Sequence, residues 1–234
     1  MQKTRIYVAV ALAAVTAGTA VAAVKLSDKF STSVLKSMWM PYADGGTTLS
    51  PFGGALYAAT DGSGTAAVVI EDYQLSSDSW KATVSARQLM AASALSGGAS
   101  VSAFVGLQYG GLNAEAGLID QANGYLIGVS MGDGLAYAGW SLYEDGVLTG
   151  NDVVPISTAK LMKGSISATY NSKKDRMSIV LGKVKRTFSY FMEDNPFFED
   201  ANPYLGANVV GDVSGTLFTF DNFSLTGKGV VQTP

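Results

Sequence analysis

From Trp80 onward, apolar and polar residues alternate along the chain, and that period of two restricts it to half-buried β-strands. Trp80, Ala82, Val84 and Ala86 alternate with Lys81, Thr83, Ser85 and Arg87. Val101, Ala103, Val105, Leu107 and Tyr109 alternate with mostly small or polar residues, and Tyr125, Ile127, Val129 and Met131 repeat the pattern. Ile166, Ala168 and Tyr170, then Met177, Ile179 and Leu181, continue it. The count is about 12 strands, from near Leu26 to near Leu225. Turn signals separate them: Asp44-Gly45-Gly46, Asp61-Gly62, Ser96-Gly97-Gly98, Gly110-Gly111, Asn123-Gly124, Asp133-Gly134, Asp145-Gly146 and Gly211-Asp212. No segment offers a long helical period, and the best short helical candidates are 91–95, 157–162 and 192–200. A dozen strands in one domain, residues 23–228, with a loose tail at 229–234, predict two packed antiparallel sheets or a barrel.

Composition narrows the chemistry. The chain of 234 residues has no Cys and no His, so disulfides, thiolate catalysis, Cys/His zinc sites and His-dependent triads are excluded. With 47% apolar and 15% charged residues it is not a disordered chain. The first segment reads as an export signal, residues 1–22. Lys3 and Arg5 form its basic start, 6–15 its apolar run, and Ala20-Val21-Ala22 its cleavage site. Ten apolar residues are too few to span a bilayer as a helix, and no later run is longer. Losing this segment removes two cations and no anion, so the net charge of −3 becomes more negative. That balance argues against nucleic acid and anionic lipid as partners. Export without Cys points to a bacterial source and a secreted, periplasmic or cell-surface location.

The order of features resembles the concanavalin A-like lectin/glucanase superfamily, which includes laminin G-like modules. The matching pieces are Leu26-Ser27-Asp28-Lys29-Phe30, Trp39, Phe52-Gly53-Gly54-Ala55-Leu56-Tyr57 and Trp80-Lys81-Ala82-Thr83-Val84. Tyr170-Asn171, Asp175-Arg176-Met177-Ser178-Ile179 and Phe220-Asp221-Asn222-Phe223-Ser224-Leu225 complete the series. The resemblance spans nearly the whole chain after the signal and rests on order rather than on a diagnostic motif. It implies an all-β, antiparallel two-sheet jelly-roll sandwich with its first and last strands side by side. It also implies carbohydrate as the ligand and a structural calcium near those strands, for which Asp28 and Asp221 are the candidates. Asp61-Gly62-Ser63-Gly64 is a second oxygen-rich segment. Calcium takes six to eight oxygens, and only one or two side chains can be named at either place.

The glucanases of this superfamily carry Glu-x-Asp-x-Glu, or a variant with one more residue, on a single strand. It is missing here. The pairs Glu71-Asp72, Glu144-Asp145, Glu193-Asp194 and Glu199-Asp200 are sequence neighbours, which a strand points to opposite faces. Gly128-Val129-Ser130-Met131-Gly132 matches a nucleophile elbow, but it lies in a period-two run of a chain without His, and so reads as strand. Asn222-Phe223-Ser224 is a glycosylation sequon within an expected strand.

The strand from Ala136 to Tyr143 is the best ligand platform. Ala136, Ala138, Trp140 and Leu142 share one face, expected in the core. Tyr137, Gly139, Ser141 and Tyr143 share the other, two aromatic rings flanking small residues. A sugar ring stacks its C–H face on such rings, and the phenol hydroxyl adds a polar handle. Ordinary cross-strand tyrosine packing is the competing reading. A neighbouring strand carrying Gly128 and Ser130 would widen the clearing, and Arg87 on its own polar face could donate to sugar hydroxyls or acids. The expected ligand set is therefore Tyr137, Ser141, Tyr143, Ser130 and Arg87, with no catalytic residue. The leading function is an exported carbohydrate-binding or envelope module. The alternatives are a glycoside hydrolase or polysaccharide lyase of the same fold with an atypical site, and an outer-membrane β-barrel.

Overall fold

A computed structural model describes residues 23–109, 123–144, 147–157, 163–181, 183–189, 191–194 and 201–233. The expected export signal lies outside these residues, as do Gly110-Gly111, Asp145-Gly146 and most of the two later helical candidates. The chain opens with β1 (Val24–Asp28), β2 (Met40–Phe52), β3 (Ala55–Val69), β4 (Tyr73–Leu75) and β5 (Trp80–Gln88). A 3-10 turn at Ala92–Ala94 leads to β6 (Ser100–Tyr109), β7 (Asn123–Gly132), β8 (Leu135–Glu144) and β9 (Val147–Pro155). Then come β10 (Lys163–Asn171), β11 (Arg176–Leu181), β12 (Val184–Ser189) and the helical turn α1 (Phe191–Asp194). The last strands are β13 (Asn202–Val210), β14 (Gly215–Gly227) and β15 (Val230–Gln232).

Two layers result. The back layer runs β12-β11-β10-β5-β14 and meets the first half of β3, while the front layer runs from the second half of β3 through β13-β6-β7-β8 to β9. Every pairing is antiparallel, and β1 lies along β14 with Asp28 opposite Phe223. Strand β3 changes layer at a corner: its Leu56–Thr60 stretch pairs with β14, and its Gly64–Val69 stretch pairs with β13. The corner is made of glycine. A Cβ on Gly64 would sit 2.2 Å from the Asp44 carbonyl oxygen, and one on Gly45 (φ +65°) 2.3 Å from that of Ser63. The segments Asp44-Gly45-Gly46 and Asp61-Gly62, expected as turns, are therefore bends inside β2 and β3, where the register shifts.

The core lies between the layers, where β10 faces β6 and β7, and β11 faces β8. Val84, Ala86, Ile166, Ala168 and Ile179 enter from the back, and Val101, Val105, Ile127, Val129 and Leu205 from the front. Fully burying a Val, Leu or Ile side chain contributes about 1.5–3 kcal/mol, and a chain without Cys is held by this burial. Contacts cross between the layers at their outer edges: Arg186 Nε of β12 lies 3.4 Å from Asp152 Oδ2 of β9, and the Trp140 ring of β8 stands edge-on to Phe188 of β12 at 5.1 Å. A membrane barrel would pair its first and last strands by backbone hydrogen bonds. Here β9 and β12 stay separate edges around a packed interior, so the architecture is a sandwich. Residues 229–234, read from sequence as a loose tail, carry β15, which pairs with β4 and buries Val230.

Candidate functional site: an outward cavity on the front sheet

Strand β8 divides as its alternation predicts. Ala136 and Ala138 are buried in the core, and Trp140 packs against it from the same face. Tyr137, Gly139, Ser141 and Tyr143 point the other way and line a cavity of about 580 Å³. Strand β7 is the neighbour, with Ser130 opposite Tyr137 and Gly128 opposite Gly139, and both β7 residues also line the cavity. Thus Tyr137, Ser141, Tyr143 and Ser130 stand around one hollow. The floor between the rings stays low for a packing reason. A Cβ on Gly139 would meet the Asp152 carbonyl oxygen at 2.1 Å, so any larger residue displaces β9.

Arg87 is not part of this face. It is exposed on β5 in the back layer, paired with Lys163 and Thr219, with both sheets and the core between it and the cavity. Period two tells which side of its own strand Arg87 occupies, but not to which layer that strand belongs.

Several lining residues were not picked out from the sequence. Asp44, Thr65, Ser102 and Asn208 come from β2, β3, β6 and β13. Thr65 Oγ1 donates to Asn208 Oδ1 at 2.6 Å across 143 residues of sequence. Further along these strands the outward face is closed. Tyr204 and Val69 are fully buried there, and the Tyr204 ring covers Gly106 so closely that a Cβ would fall 2.0 Å from it. Burial raises the Tyr143 pKa, and burial followed by the nearby Tyr143 charge raises that of Tyr204. Both phenols therefore keep their protons at neutral pH.

The seam between β1 and β14 has a different chemistry. Asp28 is 3% exposed, and its carboxylate is surrounded by donors. Phe30 N–H donates to Oδ1 at 2.8 Å, Trp39 Nε1–H to Oδ2 at 2.9 Å, and the Lys36 ammonium stands 3.1 Å from Oδ1. Asp221 accepts from the Asn222 backbone N–H and from its side-chain Nδ2, each at 2.6 Å. A calcium ion needs oxygens directed at it, and these carboxylates already accept from N–H groups, one beside an ammonium. The donor set does not fit calcium. Among the described residues there is no cluster of three Asp or Glu side chains. In the second oxygen-rich segment, Ser63 Oγ exchanges hydrogen bonds with Gly211, tying down the corner. Asn222 of the sequon sits at φ +52° with its amide held by Asp221. The run from Gly128 to Gly132 is strand β7, followed by a turn and another strand, so it is no nucleophile elbow.

No protein-family model matches the sequence, and neither does any curated protein. Solved structures do match in shape. The Emp47p carbohydrate recognition domain superposes with a TM-score of 0.60 at 13% identity, covering 87% of this chain and 94% of its own. The potassium-bound Emp46p carbohydrate recognition domain gives 0.57 at 14% identity, over 83% and 90% of the two chains. Peanut lectin gives 0.59 at 9% identity, over 91% of this chain and 100% of its own. The chain has the concanavalin A-like jelly-roll fold of these lectins.

Proposed function

We propose that this protein is an exported, non-catalytic carbohydrate-binding domain whose outward front-sheet cavity holds an uncharged glycan. The observation that carries this reading is the placement of Tyr137 and Tyr143 at either end of the open Gly139–Ser141 stretch, within a cavity edged by hydroxyls, one amide and one carboxylate. Two rings with clear space between them offer stacking surface to the C–H face of a sugar. Ser102, Ser130, Ser141 and Thr65 match its hydroxyls, and Asn208 can donate or accept. Among the described lining residues Asp44 is the one charged side chain and no cation is present, which favours neutral over acidic sugars. Glycoside hydrolysis needs two carboxyl groups flanking the bond, whereas the described lining residues supply one, which is the ground for proposing binding rather than turnover. Similarity of shape to domains named for carbohydrate recognition adds to the reading. The basic start, apolar run and Ala20-Val21-Ala22 support export, and fractionation of the producing cell tests that part.

A printed array of neutral and acidic glycans tests the binding. The expected result is retention on neutral glycans, lost in Tyr137→Ala, with no release of reducing sugar. Retention only on uronate or sulfated glycans, or equal retention by the Tyr137→Ala variant, overturns the assignment.

A further inference from the structure

Strand register arranges the cavity's polar residues in one line. Asp44 lies opposite Thr65, Thr65 opposite Asn208, Asn208 opposite Ser102, Ser102 opposite Ser130, and Ser130 opposite Tyr137. All six line the cavity. The row crosses six strands at right angles to their direction. At a spacing of about 4.8 Å per strand, three steps of about 14 Å in total separate Asn208 on β13 from Tyr137 on β8. That distance is several times the width of one sugar ring. The two ends also differ in kind. At the far end the Thr65 hydroxyl holds Asn208 Oδ1, so Asn208 keeps its N–H group for donation, and Asp44 lies one strand beyond Thr65 in the same row. At the near end are the rings of Tyr137 and Tyr143. Past the row toward one end of β3 and β13, buried Val69 and Tyr204 close the face, so a ligand at Asn208 does not extend in that direction.

We propose that the cavity holds two subsites, a stacking subsite at Tyr137 and Tyr143 and a hydrogen-bonding subsite at Asp44 and Asn208, bridged by one oligosaccharide chain lying across the strands. This rests on the carbohydrate reading above and adds the length and direction of the ligand. The Ser102 and Ser130 hydroxyls lie under the middle of the chain.

The test titrates the full-length protein calorimetrically with glucose, mannose and xylose and with their neutral β-1,4-linked oligomers of increasing length. Affinity is expected to rise at least about tenfold from monosaccharide to the longer oligomers. Asn208→Ala and the isosteric Asp44→Asn each lower affinity for the longer oligomers by about tenfold, the size of one or two lost hydrogen bonds to a polar ligand, and leave the monosaccharide unaffected. Tyr137→Ala weakens every length. If Asn208→Ala unfolds on a thermal melt, Asp44→Asn makes the same comparison. Affinity independent of length, or equal loss for monosaccharide and oligomer in the far-end variants, overturns the second subsite while leaving carbohydrate binding intact. Failure of all these oligomers to bind, with other glycans retained on the array, overturns this inference alone. Failure on both overturns the carbohydrate reading as well.

Discussion

The β1–β14 seam and the front-sheet cavity use the same residue types to opposite ends. At the seam, Asp28 is buried and accepts from Phe30 and Trp39 beside the Lys36 ammonium, and the Trp39 ring packs on Phe30 and Phe223 at 5.8 and 4.8 Å. In the cavity, Asp44 and two tyrosines face open space, and among the described residues nothing donates to the Asp44 carboxylate. A carboxylate whose lone pairs are taken up by neighbours inside the fold is structure. One whose lone pairs are directed outward into an open cavity can recognise a ligand. Residue type alone does not separate the two.

The largest expected effect lies at the seam. Asp28→Ala removes the acceptor for the Trp39 indole and the Phe30 amide, leaving two buried donors unpaired. A loss of about 3 kcal/mol is expected in chemical denaturation, with glycan affinity unchanged in whatever fraction remains folded. Added calcium should not change the midpoint of the wild type. A calcium-dependent midpoint would reverse the assignment of the seam as purely structural.

The cavity should respond in the opposite sense. Tyr137→Ala and Tyr143→Ala are expected to lower glycan affinity by about tenfold or more, roughly 1.4 kcal/mol. Both residues are only partly buried, so the denaturation midpoint should move little. A variant that loses stability but not affinity would place the tyrosines in the same class as Trp39.

A third tyrosine sharpens the contrast. Tyr42 donates its hydroxyl to Glu71, and that bond, then partial burial and the Glu71 charge, push its pKa to about 12. A raised folded pKa means this contribution is complete below the ordinary tyrosine value near 10 and is lost as pH rises through about 12. Tyr42→Phe should therefore be slightly less stable than wild type at neutral pH and converge on it in strong alkali. A difference between the two proteins that stays constant with pH would remove Glu71 as the cause. The smallest effect is expected from Arg87→Ala on the back sheet, with no measurable change in glycan binding and less than about 0.5 kcal/mol in stability. A clear loss of binding there would move the site to the other sheet.

Much of the fold was legible in the sequence because alternation is a local property. The strands at Trp80–Gln88, Ser100–Tyr109 and Lys163–Asn171 and their core faces follow from it directly. So does the shared outward face of Tyr137, Gly139, Ser141 and Tyr143. What was hidden depends on partners far along the chain. Thr65 and Asn208 meet across 143 residues, and no local pattern marks either one. That Arg87 stands on the back layer, away from the cavity, does not show in the sequence because alternation says nothing about which sheet a strand joins. The glycines at 45, 46, 62 and 64 carry the same local signal for a turn as for a corner. Only the pairing of β3 with both β14 and β13 distinguishes them. The three residues of β15 are too few to show a period.

On the function proposed above, the outward face of the front sheet, rather than the seam or the back sheet, meets a neutral glycan through its tyrosines. The most direct measurement is nuclear magnetic resonance of tyrosine ring signals in the wild-type protein, titrated with a glycan retained on the array. If this reading holds, the shifts concentrate at Tyr137 and Tyr143, with Tyr57 and Tyr73 unchanged. Shifts confined to Tyr57 or Tyr73, or ring signals of Tyr137 and Tyr143 unmoved at saturating glycan, would contradict it.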